Sequence, residues 1–258
     1  MPVLFVGHGS PMNAIEDNEF SRSWKEVGGG LPRPRAILCI SAHWETRGTH
    51  VTAVERPRTI HDFYGFPQEL FSVEYPAPGS EWLARRARDA VTRAPVGLDE
   101  GWGLDHGCWS VLRRMFPDAS VPVVQMSLDH DQPARHHYEI AKNLAPLRKE
   151  GVLVVGSGNM VHNLFMVRLK GDDFNERYGF DWALEANELF KRLIMEGRYG
   201  ELVDYKSLGE SVRLAVPTPE HYLPMIYALA LREEGDSLSF FNDAAVGGSV
   251  TMTSFRVG

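Results

Sequence analysis

The first apolar run of the chain and its first histidine lie together at residues 3–11, which read VLFVGHGSP. A short apolar run rich in valine, isoleucine or leucine is typical of a strand that is buried on both faces. We therefore predict a strand at residues 3–6, and the same pattern predicts strands at residues 36–41, 121–127 and 152–155. Each run is followed within two residues by Gly, Ser, His or Asp, which is typical of a strand that ends in a loop.

Helical patterns lie between the predicted strands. Apolar residues recur every three or four positions in three segments, at residues 20–27, 82–91 and 140–147. Because strands alternate with helices, the sequence predicts an α/β fold, a single domain with a mostly parallel central sheet and helices on both faces.

The second half of the chain adds two helices and a pair of strands. Asp181 is the predicted N-cap of a helix over residues 181–196. The Thr218 hydroxyl is the predicted cap of a helix that continues to residue 232. Apolar and polar residues alternate at the end of the chain, which predicts a hairpin or paired strands at residues 238–242 and 249–257.

The composition, with 43% apolar and 24% charged residues in a chain of 258, is that of a globular protein. No repeat or long linker divides the chain, so we expect residues 1–258 to form one domain. The net charge of −7, with basic residues scattered among acidic ones, argues against a nucleic-acid partner. Without a basic leader or an apolar run of 18 residues, we expect a cytoplasmic protein with no membrane partner, and no feature predicts an oligomeric state.

Neither cysteine belongs to a recognisable metal or redox motif. Cys39 and Cys108 form no Cys-x-x-Cys pair, so the sequence predicts neither a disulfide framework nor a thiolate zinc site.

Three histidines follow three different predicted strands. His8 follows the first strand, His43 the second, and His162 comes six residues after the glycine that ends the fourth. Ligands of open parallel sheets bind beyond the carboxyl ends of the strands, and imidazole is the commonest neutral metal ligand. One histidine at a strand end is usually a hydrogen-bonded loop residue, but three at one edge favour a metal site there.

Two further histidines are candidates for the same site. His221 lies in the first turn of a predicted helix, where Glu220 is a rival ligand. His106 lies beside Asp105 in a loop rich in glycine and aromatic residues, which is compatible with a pocket for a flat ring or with simple aromatic packing. Residues 61–64, HDFY, have a similar composition and give a weaker indication of the same two alternatives. The other histidines are predicted to be solvated, namely His50, His130, His136 and His137.

Several common active-site motifs are missing from the sequence. The Gly156-Ser157-Gly158 segment lacks the third glycine of a dinucleotide-binding turn, because Val161 occupies that place. The sequence has no P-loop, no serine flanked by glycines two positions away on each side, and no His-Glu-x-x-His helix. Nucleotide binding and serine hydrolysis are therefore disfavoured.

Seven segments together resemble the class III extradiol ring-cleavage dioxygenases, specifically the DOPA 4,5-dioxygenase branch. They occur in order along the chain, at residues 7–12 (GHGSPM), 41–44 (SAHW), 59–63 (TIHDF), 75–79 (YPAPG), 103–107 (GLDHG), 158–163 (GNMVHN) and 218–224 (TPEHYLP). The resemblance implies an α/β enzyme with one mononuclear non-haem metal that opens a catechol ring beside its two hydroxyl groups with O₂ and Fe²⁺. Some members are described with Zn²⁺ bound.

Carried over position by position, the resemblance implies that His8, His43 and His221 are metal ligands. His162 is then an acid/base or a fourth ligand, and we count it with His106 as a catalytic candidate. Wider relatives use two histidines and a carboxylate, whereas the third ligand here is His221. Compared with two histidines and a carboxylate, three neutral imidazoles make the site more positive by one charge. This favours binding of an anionic catecholate but also suits Zn²⁺, so the metal is expected to be either Fe²⁺ or Zn²⁺.

The same histidines fit two other functions. A zinc-dependent hydrolase would use them to lower the pKa of a bound water, with His162 or Glu220 as the base. A metal-binding protein without catalytic activity would close the site with four histidines.

Overall fold

The structure is a computed structural model that describes residues 1–171 and 173–258. Within these residues an eight-stranded mixed sheet forms the centre of the fold, with the strand order β4-β3-β5-β2-β6-β1-β10-β7, and β8 pairs with β9 outside it. The strands are β1 (Val3–Gly7), β2 (Ala36–Thr46), β3 (Thr49–Thr52), β4 (Val96–Asp99), β5 (Val123–Asp129), β6 (Val152–Gly158), β7 (Leu238–Phe241), β8 (Ala245–Val246), β9 (Val250–Thr251) and β10 (Ser254–Val257).

The four predicted strands form the parallel middle of the sheet. Strand β6 pairs in parallel with β1 on one side and β2 on the other, and β2 pairs in parallel with β5. The carboxyl ends of β1, β2, β5 and β6 therefore meet at one edge. At the end of the chain, β10 pairs antiparallel with both β1 and β7, as the alternating pattern there predicts.

Ten α-helices are described around the sheet. They are α1 (Glu19–Gly29), α2 (Gln68–Phe71), α3 (Glu81–Ala90), α4 (His106–Met115), α5 (Ala134–Lys142), α6 (Ala145–Lys149), α7 (Asp181–Met195), α8 (Tyr199–Val203), α9 (Glu210–Ala215) and α10 (Leu223–Ala230). Short 3₁₀ helices span Pro11–Ala14, Leu164–Met166 and Tyr205–Ser207. Within residues 1–171 and 173–258, no helix has the length and apolar character needed to cross a membrane.

Side chains of the central strands alternate between two apolar layers. Val3 and Phe5 of β1 face the layer that contains α3 and α5 to α10, whereas Leu4 and Val6 face the layer that contains α1, α2 and α4. All four side chains are fully buried, as expected for a parallel strand covered on both sides. The predicted α/β fold with helices on both faces is confirmed. That residues 1–258 act as one catalytic domain stays a prediction.

Both predicted helix caps are wrong. Asp181 is the first residue of α7, and Phe180 occupies the cap position without a side-chain hydrogen bond. Thr218 lies five residues before α10, because it precedes Pro219 and a residue before proline avoids the helical conformation. Its hydroxyl donates instead to Glu220 Oε1 at 2.9 Å. His221 therefore lies in a turn before the helix.

The prediction that His137 is solvated is also wrong. His137 is fully buried on α5, where its Nε2 donates to the Asp129 carbonyl oxygen at 3.2 Å and its Nδ1 accepts from the Tyr227 hydroxyl at 3.1 Å. The ring is thus a neutral imidazole with both nitrogens used. Burial, with a smaller effect of the neighbouring His136, lowers the pKa of His137 to about 4.

The buried His137 makes stability fall in mild acid. In the unfolded chain this side chain takes up a proton near pH 6.5, whereas in the folded protein it does so only near pH 4. Stability is therefore full above pH 6.5 and declines as the pH falls toward 4, by about 3 kcal/mol from this residue. Urea denaturation at pH 7 and pH 4 should show a smaller loss for His137→Gln than for the unaltered protein. Equal losses would contradict this origin.

Candidate metal centre

Five histidines converge beyond the carboxyl ends of the parallel strands. His8 follows β1, and His43 lies near the end of β2. His106 begins α4, His162 follows β6, and His221 lies in the turn before α10. Their rings form a continuous group. The ring centroid of His8 lies 5.0 Å from that of His43 and 5.2 Å from that of His221. The structure thus brings together all the site histidines that the sequence singled out.

His43 lies within β2, although the predicted strand ends before it. The register between β2 and β5 shifts between Ile40 and Glu45, an irregularity that leaves His43 unpaired with β5. Such a bulge re-aims a side chain within a strand. His43 therefore points its ring toward His8 while the strand continues to Thr46.

The predicted ligand triad has the spacing of a metal site. Ligand nitrogens of His8, His43 and His221 all lie within 4.8 Å of one another, and the Nε2 atoms of His8 and His43 are 3.2 Å apart. Two imidazole nitrogens that bind one ion at about 2.1 Å, at right or tetrahedral angles, lie roughly 3.0–3.4 Å apart. The residues present therefore fit one divalent metal ion.

The Ser157 hydroxyl fixes which nitrogen of His8 is free. Ser157 Oγ donates its only proton to the Gly107 carbonyl oxygen at 2.6 Å. The 2.9 Å contact between Ser157 Oγ and His8 Nδ1 must therefore be donated by the imidazole. The proton of His8 thus resides on Nδ1, and its Nε2 presents a lone pair to His43.

One carboxylate contacts two of the histidines. Asp62 Oδ2 lies 3.5 Å from His43 Nδ1, and Asp62 Oδ1 accepts from the His106 backbone N–H at 2.9 Å. Asp62 Oδ1 is also 3.0 Å from His106 Nδ1, but off the N–H direction, so that contact is chiefly electrostatic. Although burial raises the pKa of Asp62, the His106 contacts outweigh it and lower that pKa. Asp62 is therefore an anion behind both rings, as carboxylates behind metal-binding histidines usually are.

His162 and His221 are stacked face to face. Their ring centroids are 3.5 Å apart with an angle of 12° between the planes. The Nδ1 of His221 lies 3.1 Å from Glu220 Oε1, so Glu220 holds the ring of His221 from behind. Donor atoms of His162, Glu220 and His221 also lie within 4.8 Å of one another, so the geometry leaves both roles of His162 open.

Burial keeps four of the imidazoles neutral, those of His8, His43, His162 and His221. Desolvation, followed by the neighbouring histidines, lowers the pKa values of His8 and His221 well below 6.5. The same causes lower the pKa of His43, with Asp62 opposing them, and burial lowers that of His162 to about 4. A neutral imidazole is the form that binds a metal.

The histidines line an open cavity of about 1210 Å³. Part of its wall is aromatic, with Phe63, Phe66 and Phe174, and Phe63 packs edge-on against His106 at 5.5 Å between ring centroids. The cavity is large enough for a small aromatic molecule beside the histidines.

Residues 2–244 match the family described as the catalytic LigB subunit of aromatic ring-opening dioxygenase. The chain belongs to this family. It is therefore a ring-cleaving dioxygenase, and the resemblance seen in the sequence motifs is confirmed.

Individual LigB-family proteins match over nearly their full lengths. A 4,5-DOPA dioxygenase extradiol of Escherichia coli K12 is 48% identical and is aligned over 100% of this chain and 95% of that protein. A protein of the same name from Beta vulgaris is 36% identical, over 98% of this chain and 95% of that one. The crystal structure of an uncharacterized Escherichia coli K12 protein superposes with a TM-score of 0.86 at 42% identity, covering both chains completely.

Sequence reasoning missed the residues that hold the histidines of this LigB-family site. Asp62 lies in the HDFY segment. The sequence indicates a site only weakly there, because a loop has no periodic pattern that shows which side chains face inward. Asp105 was noted only as a neighbour of His106, yet its fully buried carboxylate caps α4 and accepts from Ser41 Oγ at 2.6 Å and Gln125 Nε2 at 2.7 Å. Such partners become visible only when the strands are placed side by side.

The segment that carries His221 passes directly over Gly158 of β6. A Cβ atom at this position would lie 2.2 Å from the His221 carbonyl oxygen, a distance that forces the segment to move. Changes in the groups that hold metal ligands typically cost 10- to 100-fold in affinity. We therefore expect Gly158→Ala to weaken metal binding about tenfold or more in competition titrations with a chelator.

The matched control is Gly29→Ala, because no atom lies within 4 Å of a Cβ added at that glycine. Circular dichroism should show that both variants fold. Metal affinity in Gly158→Ala equal to that of Gly29→Ala would mean that His221 is not a ligand or that its position is not critical.

Proposed function

We propose that this LigB-family enzyme opens the ring of a small, DOPA-like catechol beside its two hydroxyl groups with O₂. One divalent metal, Fe²⁺ for ring cleavage, would be held by His8, His43 and His221. The observation that carries the proposal is the convergence of these three imidazoles, with Nε2 atoms of His8 and His43 3.2 Å apart. The names of the relatives support the choice of substrate.

When bound at His8, His43 and His221, the metal would supply Lewis acidity toward the catechol oxygens, and iron would supply the redox capacity toward O₂ that Zn²⁺ lacks. The chain's own contribution is to orient the imidazoles. Ser157 holds the proton of His8 on Nδ1, while Asp62 and Glu220 lie behind His43 and His221. These contacts keep the other nitrogen of each ring directed at one point.

His162 is the proposed proton acceptor. A catechol must lose protons to bind through both oxygens, and a neutral imidazole in the same cavity can take one. Burial lowers the pKa of His162 to about 4, so the ring is neutral before substrate arrives. A catecholate beside it would raise this pKa by charge attraction, which favours the transfer. His106, anchored by Asp62, is the second candidate for holding a proton.

The proposed partners are small molecules, a catechol and O₂. The aromatic wall around Phe63 would pack against one face of a flat ring. We also propose a cytoplasmic location without a membrane partner. The net charge of −7 argues against a nucleic-acid partner.

Oxygen uptake after anaerobic loading with Fe²⁺ tests the proposal. We expect uptake and a yellow semialdehyde product with DOPA or another catechol, and neither with Zn²⁺ in place of iron, because zinc cannot change its redox state. His43→Ala should abolish uptake together with metal binding. Hydrolysis of an ester or amide by the zinc form, without oxygen uptake by the iron form, would instead identify a hydrolase. Inactivity with both metals would indicate a metal-binding protein without catalytic activity.

His162→Gln separates a proton acceptor from a fourth ligand. Loss of a general acid/base lowers turnover by about 10²- to 10⁴-fold, so we expect a loss of this size with near-normal Fe²⁺ content. Metal analysis and oxygen uptake on the same sample provide the measurement. Metal loss in proportion to activity would make His162 a ligand, and unchanged turnover would remove it from the chemistry.

A further inference from the structure

A buried acid and a buried amide pair between the start of α4 and β5. Asp105, the N-cap of α4, and Gln125 of β5 are both fully buried. Gln125 Nε2 donates to Asp105 Oδ2 at 2.7 Å, and the Asp105 backbone N–H donates to Gln125 Oε1 at 3.0 Å. Because these two hydrogen bonds run in opposite directions, they fix the orientation of the amide and leave Oδ2 without a proton.

The carboxylate of Asp105 holds the backbone at His43. Its Oδ1 accepts from the Ser41 hydroxyl at 2.6 Å, and the Ser41 oxygen in turn accepts from the His43 backbone N–H at 3.3 Å. Ser41 comes directly after Ile40, the last residue of β2 that pairs with β5 before the register shifts. The two hydrogen bonds therefore fix β2 at the bulge that directs His43 toward His8.

The same oxygen holds the first turn of α4, which carries His106. Asp105 Oδ1 also accepts from the Cys108 backbone N–H at 3.1 Å, so the carboxylate fixes the backbone on both sides of His106. This turn lies against the bulge of β2, since a Cβ atom at Gly107 would lie 2.9 Å from His43 Cδ2. One carboxylate therefore sets where both histidines leave the backbone. Their ring centroids are 3.9 Å apart.

Two carboxylates thus act on the same pair of histidines in different ways. Asp62 contacts the side chains, with oxygens 3.5 Å from His43 Nδ1 and 3.0 Å from His106 Nδ1. Asp105 acts on the backbone, directly in the turn of His106 and through Ser41 at His43. A ring is directed at a fixed point only if its backbone is also in place, and a misplacement of about 1 Å can cost roughly 10²-fold in rate.

We infer that Asp105, held by Gln125, is a positioning residue that sets the placement of His43 relative to His106. The inference rests on the proposed function, because it takes His43 as a metal ligand and His106 as a group beside the substrate. Since Asp105 and Gln125 are both fully buried, neither touches the substrate itself.

Exchanging the acid and the amide tests whether the pair acts through its hydrogen bonds. In Asp105→Asn the new amide nitrogen would face Gln125 Nε2, donor against donor, and in Gln125→Glu two carboxylates would face each other. With both substitutions, the amide nitrogen at position 105 would donate to the carboxylate at position 125. The other oxygen of that carboxylate would accept from the backbone N–H at position 105, so every hydrogen bond of the pair would be restored.

Two measurements on the full-length protein report the placement of the histidines. Binding of Co²⁺ in competition with a chelator gives the metal affinity, and the visible absorption of bound Co²⁺ responds to the geometry of its ligands. Oxygen uptake by the Fe²⁺-loaded protein with DOPA gives kcat/KM. We expect each single variant to lose about 10- to 100-fold in Co²⁺ affinity and in kcat/KM, with an altered Co²⁺ spectrum. The double variant should recover most of both losses and the original spectrum.

Ser41→Ala tests the connection to His43 alone. It removes the link from Asp105 to the His43 backbone but leaves the pair with Gln125 and the cap of α4 in place, so we expect this variant to fold. Its Co²⁺ spectrum should change, with a loss of roughly tenfold in Co²⁺ affinity.

The matched control is Ser80→Ala, which removes the side-chain cap of α3 outside the cavity. It should lower the thermal stability, as loss of a cap does, and leave the Co²⁺ spectrum and kcat/KM unchanged.

An unchanged Co²⁺ spectrum and affinity in Ser41→Ala would overturn the inference, whether or not the Asp105 variant folds. A double variant that circular dichroism shows to be folded, but that recovers neither Co²⁺ affinity nor kcat/KM, would also overturn it. The outcome is separable from that of the proposed function. Absence of oxygen uptake by the unaltered iron form would contradict only the dioxygenase proposal, because the Co²⁺ measurements do not depend on ring opening.

Discussion

The Ser157 hydroxyl is the contact around which the site is organised. It accepts from His8, which follows β1, and donates to Gly107 in α4, while its own backbone belongs to β6. One oxygen thus joins two neighbouring parallel strands and the helix that carries His106. The neutral, Nδ1-protonated state of His8 depends on this arrangement, because the hydroxyl has a single proton to give. The relative positions of the histidines follow from the same sheet edge.

The chemistry of the histidine cluster would suit a bound metal cation. Several imidazoles are buried side by side, and burial lowers the pKa values of His8, His43, His162 and His221. A proton on any of them would lie in an environment that penalises charge. A divalent ion would satisfy several lone pairs at once, and the anionic Asp62 behind His43 and His106 would offset part of its charge.

The sequence predicted those parts of the fold that depend on periodicity. Apolar runs located β1, β2, β5 and β6, because a strand covered on both faces is mostly apolar. Strands β3 and β4 were missed, since they are four residues long and include polar residues such as Thr49 and Asp99. The bulge that keeps His43 within β2, and the burial of His137 against Tyr227, depend on contacts between distant segments. No local pattern contains that information.

The two thiols of the chain are fully buried, Cys39 on β2 and Cys108 on α4. Burial, reinforced by contact with Cys39, raises the pKa of the Cys108 thiol and keeps it protonated. Since the thiolate is the form that oxidants attack, burial makes these sulfhydryl groups chemically inert. Protection of the thiols from oxidation therefore gives no reason to add thiol reductants to the protein. That is a practical advantage, because such reductants bind metals and would compete with the histidines for the ion.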